Sequence, residues 1–223
     1  MPLSLIPARL RGHGGLMRVW RDTRGVALIE FAYSLPFVLL LALGGMEVTN
    51  YALTHMRASQ IAVSLADNAS RAKEQSITGV PQMREIDVNE TFVAAGLQAG
   101  TLDLANNGRL ILSSLEVNAD GGQWIHWQRC FGGAEHASSF GVEGEGASGT
   151  DFPGMGPAAR IVRAEPGFAI MFAEVVLDYE PLFSRALVPD RPIRKHAAMY
   201  VRDDRDLSAI FNPAPAAPVN GCD

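Results

Sequence analysis

The sequence predicts an α+β fold in which one long N-terminal helix packs on a small antiparallel sheet of about four strands. The helix is predicted because residues 47–73 contain neither proline nor glycine, and apolar side chains recur there at steps of three and four. The sheet is predicted because later segments alternate apolar and polar side chains between turn sequences. A long helix, a short helix and then strands is an order typical of α+β chains.

A basic segment, residues 1–25, comes first and is predicted to be a cytoplasmic leader. Five arginines against Asp22 give it a formal charge of +4, so the remaining residues carry −9 within a total of −5. By the positive-inside rule, such a flank stays in the cytoplasm and the chain after it crosses the membrane. The acidic body argues against a nucleic-acid partner, which needs a cationic face. Met17 is an alternative start of the chain.

An apolar run from Val26 to Met46 follows the leader, and its single charged side chain is Glu30. As a helix the run spans about 31 Å, the thickness of a bilayer's hydrocarbon core. We therefore predict one transmembrane helix over residues 26–46. A cleaved secretory signal is less favoured because the run is longer than its usual apolar region. A buried helix of a soluble protein is less favoured because the run has no polar face.

Glu30 is an unusual residue for such a position. A lone carboxylate at mid-bilayer costs about 2.5–3.5 kcal/mol on insertion scales, which favours a cationic partner. Cleavage after Gly25 would supply one, because the ammonium group of Val26 would lie about one helical turn from Glu30. The alternative is that Glu30 only marks the boundary of the membrane.

The residues around this position resemble a known family. Gly25, four apolar residues and then Glu30-Phe31 resemble the prepilin-peptidase processing site of type IV pilin-like proteins. The longer run from Arg24 to Glu47 is similar to the TadE/TadG-like family, which are minor pilins or pseudopilins of tight-adherence (Flp-type) pilus systems. A weaker similarity to the C-terminal region of that family lies between Ala173 and Phe183.

The resemblance implies a function in pilus assembly at the bacterial inner membrane, with the C-terminal domain in the periplasm. Prepilin peptidase, an integral membrane aspartic protease, would cleave between Gly25 and Val26, and Glu30 would pair with a Val26 ammonium during assembly. The implied partners are membrane lipid, the peptidase, other pilins and the assembly platform with its ATPase. Within the membrane helix the residues singled out are Phe31, Pro36, Gly44 and Gly45.

Two other classes of protein stay open. An uncleaved, signal-anchored periplasmic scaffold of the same machinery would share the topology and retain residues 1–25. A membrane-tethered binding protein or enzyme would work through the glycine-rich segment 131–160.

The helix is predicted to continue as an amphipathic extension over residues 47–76, before a periplasmic α+β domain over residues 77–206. Its apolar stripe comprises Val48, Tyr51, His55, Ala58, Ala62, Leu65 and Ala69. Gly79-Val80-Pro81 breaks the helix, and Asp87 or Asn89 is predicted to cap a second helix that ends near Ala99.

Four strands are predicted over residues 109–118, 123–130, 167–179 and 193–202, with a register slip near Ser113-Ser114. In the second strand, one face is predicted to carry Trp124, His126, Gln128 and Cys130, and the other Ile125, Trp127 and Arg129. Segment 131–160 is predicted to be a mobile loop, and residues 207–223 an exposed Pro/Ala-rich tail.

No catalytic, cofactor or metal site is predicted. Gly144–Gly149 fits the pattern GxGxxG, but no strand precedes it, no helix follows it, and Glu145 would repel a pyrophosphate. The acidic residues Glu143, Glu145 and Asp151 lack EF-hand spacing, and the five histidines lack zinc-site spacing. The chain is therefore predicted not to be an enzyme and to have no small-molecule substrate.

Cys130 and Cys222 are the two cysteines of the chain. In a periplasmic domain they would pair without remainder, whereas in a reducing compartment they would stay as two free thiols. The predicted topology favours the disulfide, which would attach the tail to the domain.

Overall fold

The computed structural model describes residues 24–73 and 79–222. Its elements in chain order are α1 (Arg24–Arg71), β1 (Gln82–Arg84), α2 (Glu85–Ala99), α3 (Leu104–Asn107), β2 (Gly108–Val117), β3 (Gln123–Phe131), β4 (Ile170–Leu177), a 3₁₀ turn (Arg185–Leu187), β5 (Ile193–Tyr200) and β6 (Asp206–Phe211). The predicted α+β fold is confirmed. The predicted leader, apart from Arg24 and Gly25, lies outside the described residues, as do residues 74–76 of the predicted helix extension.

The chain divides into two compact units, one up to Met46 and one from Glu47 onward. The second unit contains the Glu47–Arg71 part of α1, which packs through one stripe of small and branched side chains. The buried members of the stripe are Ala58, Ile61, Ala62, Leu65, Ala66 and Ala69. Their steps of three and four place them on one face of a helix, as the sequence predicts. Val48, predicted in the stripe, is exposed.

The C-terminus of α1 is held by Arg205, whose side chain is buried. Its guanidinium donates hydrogen bonds to the carbonyl of Ser70 at 2.7 Å and to the carbonyl of Ala69 at 3.3 Å. Asp203 accepts from the same guanidinium at 2.9 Å, and Lys73 pairs with Asp203 at 3.0 Å. These contacts satisfy carbonyls that a helix end leaves without intrahelical partners.

Helix α2 begins at Glu85, two residues before the predicted cap at Asp87. Asp87 nevertheless contributes to the helix start, because its carboxylate accepts a hydrogen bond from the backbone N–H of Arg84 at 2.9 Å. Asp87 thus lies in the first turn of the helix and caps the backbone N–H of the residue that precedes the helix.

The main sheet has the order β3-β2-β4-β5, and each neighbouring pair is antiparallel. All eight residues of the central strand β4 are buried, so both faces of the sheet are covered. On one face, Met171, Ala173 and Val175 pack with the helices. On the other face, Ile170 and Phe172 pack with side chains from the segment between β3 and β4.

A β-bulge interrupts the pairing of β2 with β3. Ser114 pairs with Trp127 and the next residue, Leu115, pairs with Ile125, so His126 is the extra residue. The predicted register slip near Ser113-Ser114 is therefore confirmed. The predicted faces are wrong before the bulge, because Trp127 packs in the helix-side core and Ile125 in the opposite core. A bulge reverses the alternation of every residue on one side of it.

A second, two-stranded sheet pairs β1 with β6 in parallel. The sequence prediction missed both strands and placed residues 207–223 in an exposed tail. Leu207 and Ile210 instead pack against the helix-side core. Strand β1 has only three residues, which is too short for an alternating pattern to be recognised.

The segment between β3 and β4 forms a covering layer on the sheet, which corrects the prediction of a mobile loop. It lacks helices and strands, and Met155 pairs with Val162 in an isolated bridge. Met155 is fully buried, with Phe140 and Phe152 packed beside the same core. The side chain of Asn118 donates to the carbonyls of Gly146 and Gly149, each at 2.7 Å. Irregularly spaced apolar residues cover the second sheet face without forming a regular element.

Candidate functional site: the apolar segment and the Glu47 cluster

The part of α1 from Val26 to Met46, here called the apolar segment, exposes large side chains on every side of the helix. Their exposed fractions range from 37% at Leu35 to 78% at Leu41. By length and composition α1 can cross a membrane, and it is the one such helix in the described part of the chain. An apolar surface of this extent marks a contact with lipid or with another protein.

Gly25 and Val26 lie in the first turn of α1. A Cβ atom built on Gly25 meets no atom within 4 Å, so packing within the described structure gives no reason for a glycine there. Val26 is half exposed. Packing inside the described structure does not require a glycine at position 25. A glycine does suit a site where another protein contacts the backbone, because a side chain would block that contact.

Glu30 is exposed on the same helix, four residues after Val26. Within residues 24–73 and 79–222, no cationic side chain pairs with it. The structure therefore presents the carboxylate on an apolar surface with no partner supplied by the described residues.

The other residues singled out in the segment lie on its surface. Phe31 is exposed, and its carbonyl accepts a hydrogen bond from the Ser34 hydroxyl at 3.1 Å. Pro36 lies inside the helix and has no N–H to donate to the preceding turn. Gly44 is partly buried, and a Cβ atom on Gly45 meets nothing within 4 Å. These positions are open to a neighbouring molecule.

A polar cluster that the sequence did not predict begins at Glu47, the residue after the apolar segment. We define the Glu47 cluster as Glu47, Asn50, Tyr179 and the backbone of Leu182 and Phe183. The buried carboxylate of Glu47 accepts from the Tyr179 hydroxyl at 2.7 Å, from the Phe183 N–H at 2.8 Å and from the Leu182 N–H at 3.3 Å. Asn50 donates to the Tyr179 oxygen at 2.8 Å, and Tyr51 packs edge-on against the Tyr179 ring.

The cluster keeps Glu47 ionised. Removal from water acts to raise the pKa of Glu47, but the hydrogen bonds from Tyr179, Phe183 and Leu182 outweigh it and lower the pKa. Burial raises the pKa of Tyr179, and the hydrogen bond to Glu47 raises it further. The pair is therefore a carboxylate and a protonated phenol, which is a charge-assisted hydrogen bond.

A signal for this cluster was present in the sequence. Glu47 ends the first stretch that resembles the TadE/TadG-like family, and Tyr179 to Phe183 ends the second. The two stretches lie more than a hundred residues apart in the chain, and their contact depends on the path of the intervening strands.

Cys130 and Cys222 form the predicted disulfide, with their Cα atoms 4.9 Å apart. The tail is further held by a hydrogen bond from the Cys130 N–H to the Asn220 carbonyl at 2.8 Å and one from Arg109 to the Cys222 carbonyl at 3.1 Å. The C-terminal segment is therefore attached to the outer strand β3.

Two acidic residues of the glycine-rich segment, Glu143 and Glu145, have protein partners. Glu143 accepts from Arg129 at 2.9 Å, and Glu145 accepts from the Val142 N–H at 3.1 Å. Gly149 donates to Asp120 at 2.7 Å, so the GxGxxG segment is bound to the hairpin between β2 and β3. Among the described residues, no group of three His, Cys, Asp or Glu side chains could hold a metal ion.

Comparison with protein-family models, with curated proteins and with solved structures returns no match to this chain.

Proposed function

We propose that this chain is a TadE-like minor pilin or pseudopilin that takes part in assembly of a tight-adherence (Flp-type) pilus. It is anchored in the bacterial inner membrane by the apolar segment, with its N-terminus in the cytoplasm and its domain in the periplasm. The observation that supports the proposal is the helix start. There a Cβ atom built on Gly25 meets no described atom within 4 Å, and no cationic side chain among the described residues pairs with Glu30 on a mainly apolar surface. The disulfide supports an oxidising compartment for the domain.

In this proposal the chain is the substrate of prepilin peptidase, which cuts between Gly25 and Val26. The cut creates an ammonium group on Val26, one helical turn from Glu30. Either within one chain or between neighbouring helices, this ammonium neutralises the carboxylate. A wrong register would leave Glu30 unpaired in hydrocarbon at about 2.5–3.5 kcal/mol, so the charge pair selects how helices align with other pilins.

The first test is the intact mass and N-terminal sequence of the protein purified from its native membrane. A chain that begins at Val26 is the expected result. A chain that retains residues 1–25, or begins at Met17, would replace the proposal with an uncleaved, signal-anchored scaffold of the same machinery.

The second test uses Gly25→Val, with Gly45→Val as a matched control. Both glycines lie in α1, and neither has an atom within 4 Å of a built Cβ. We expect Gly25→Val to leave nearly all of the chain as full-length precursor in the membrane, while Gly45→Val is processed. Equal processing of the two variants on an immunoblot would contradict cleavage at Gly25.

The third test separates processing from assembly. Glu30→Val should be inserted and processed but fail to enter or support the pilus, because the charge pair is lost. Ile29→Val changes the neighbouring exposed apolar residue and should assemble normally. Normal pili in the Glu30→Val strain, counted by electron microscopy, would refute the charge-pairing mechanism.

A further inference from the structure

Within the connection between β4 and β5, residues 180–192 form an exposed loop with several apolar side chains on its surface. Its large apolar side chains Leu182, Phe183 and Leu187 are each about half exposed. A short 3₁₀ turn, Arg185–Leu187, shapes the middle of the loop, and the Ser184 hydroxyl accepts a hydrogen bond from the N–H of Ala186 at 3.2 Å.

The loop is held in place by the Glu47 cluster. Glu47 accepts hydrogen bonds from the backbone of Leu182 and Phe183, so the two apolar side chains next to these bonds have a defined position. Glu47 is covalently bonded to Met46, the last residue of the apolar segment. A residue that directly follows a membrane-spanning run lies in the headgroup layer, which is roughly 5–8 Å thick on each side of the hydrocarbon core.

The charges of the loop suit the same layer. Between Pro181 and Pro189 the single charged side chain is Arg185, which is largely exposed and lies 3.6 Å from Asp190. Glu180 and Asp190 balance Arg185 and Arg191, so the loop as a whole carries no net charge. A loop with no net charge and exposed apolar side chains can enter the boundary between headgroups and acyl chains through those side chains, without a requirement for anionic lipid.

We propose that loop 180–192 binds the surface of the membrane that the apolar segment spans, through Leu182, Phe183 and Leu187. The proposal rests on the membrane span of the proposed function and adds a second contact with lipid. Glu47 joins the two contacts, because its backbone continues the spanning helix and its carboxylate holds the loop.

The test uses nitroxide labels on three variants of the full chain that each carry one added cysteine: Leu187→Cys, Val142→Cys and Leu40→Cys. The native disulfide stays oxidised, so only the added thiol reacts. Each labelled protein is reconstituted in vesicles of phosphatidylethanolamine and phosphatidylglycerol. Electron paramagnetic resonance then compares collisions of the label with oxygen, which concentrates in lipid, and with a water-soluble nickel complex. Val142 is an exposed apolar residue elsewhere in the domain, and Leu40 lies in the apolar segment.

We expect the label at residue 187 to lose most of its nickel collisions relative to the label at 142 and to gain oxygen collisions. Equal nickel collisions at 187 and 142, with residue 40 in lipid, would overturn the loop contact and leave the membrane span intact. Loss of both nickel and oxygen collisions at 187 would also overturn it, because a protein would then cover the loop. Free access of the nickel complex to residue 40 would overturn the membrane span and the loop contact with it.

Discussion

The two parts of α1 share one helical backbone but differ in what covers their side chains. In the apolar segment, Leu40 is 70% exposed, and apolar residues surround the helix. In the part after Glu47, Leu65 is fully buried, and the side away from the core carries polar residues such as Arg57 and Gln60 together with a few exposed apolar ones such as Met56. The comparison shows that a segment can be helical whether or not the rest of its own chain buries its side chains. The second part is covered by its own domain, whereas the first needs lipid or another chain.

The largest expected effect comes from making one substitution in both parts. Leu65→Ala should lower the free energy of unfolding by about 2–5 kcal/mol, because it leaves a cavity in the helix-side core. Leu40→Ala should leave the stability of the domain unchanged. The measurement is urea unfolding of the detergent-solubilised chain, followed by near-UV circular dichroism. Similar losses in both variants would show that the apolar segment also packs in the domain.

Removing the disulfide tests whether the two parts are independent. The double variant Cys130→Ser, Cys222→Ser should lose about 2–4 kcal/mol of domain stability, since the cross-link restricts the unfolded chain. Membrane insertion should not change, because the apolar segment has no part in the bridge.

Carbonate extraction measures insertion of this double variant, and urea unfolding measures its stability. Unchanged stability would mean that the hydrogen bonds of Asn220 and Cys222 hold the tail without the bridge. Loss of insertion would contradict the independence of the two parts.

A smaller effect is expected at the Glu47 cluster. Tyr179→Phe removes the hydroxyl that donates to Glu47 and accepts from Asn50, and should cost about 1–2 kcal/mol. Tyr33→Phe, in the apolar segment, is the matched control because its ring is exposed. Thermal unfolding compares the two, and an equal stability of both variants would show that the backbone donors suffice for Glu47.

The smallest effect is a pH dependence confined to the domain. Burial lowers the pKa of His196, and nearby Lys195 lowers it further. The folded state therefore resists protonation, so this histidine's contribution to stability falls as pH drops below its ordinary pKa of about 6.5. His196→Phe preserves the ring that packs on Phe140 and Phe172 and removes the titration.

We expect the unfolding free energy of His196→Phe to fall less than that of the wild type between about pH 7 and about pH 5. His55, whose pKa burial also lowers, keeps its contribution in both proteins. Glu174 acts in the opposite direction, since burial raises its pKa, and is likewise common to both. Parallel pH profiles from thermal unfolding would contradict a lowered pKa of His196.

Much of the fold could be predicted because periodic patterns are local. The stripe from Ala58 to Ala69 predicted a packed helix, and alternation predicted the four strands of the main sheet. A register slip near Ser114 was predicted from a break in that alternation. The sequence did not show which side chains would change to the other face of the sheet. The extra residue proved to be His126 on the partner strand, which no pattern in β2 could show.

The candidate site divides in the same way. Gly25, Val26 and Glu30 could be proposed as site residues from the sequence, because an apolar run with one carboxylate is a local pattern. Glu47 was included in the stretch that resembles the TadE/TadG-like family, but its hydrogen bonds to the loop after Tyr179 were not predicted. That contact joins groups far apart in the chain, and it exists only once β4 has brought Tyr179 to the helix.

The sequence by itself determined the elements, the exposed apolar segment and the two cysteines available for pairing, since each depends on residues that are neighbours or on composition. The tertiary structure alone decided the pairing of β1 with β6, the layer formed by the glycine-rich segment and the Glu47 cluster. The physical reason is that these features are satisfied by distant partners. A three-residue strand, an irregular apolar loop and a buried carboxylate acquire their roles only when folding brings those partners together.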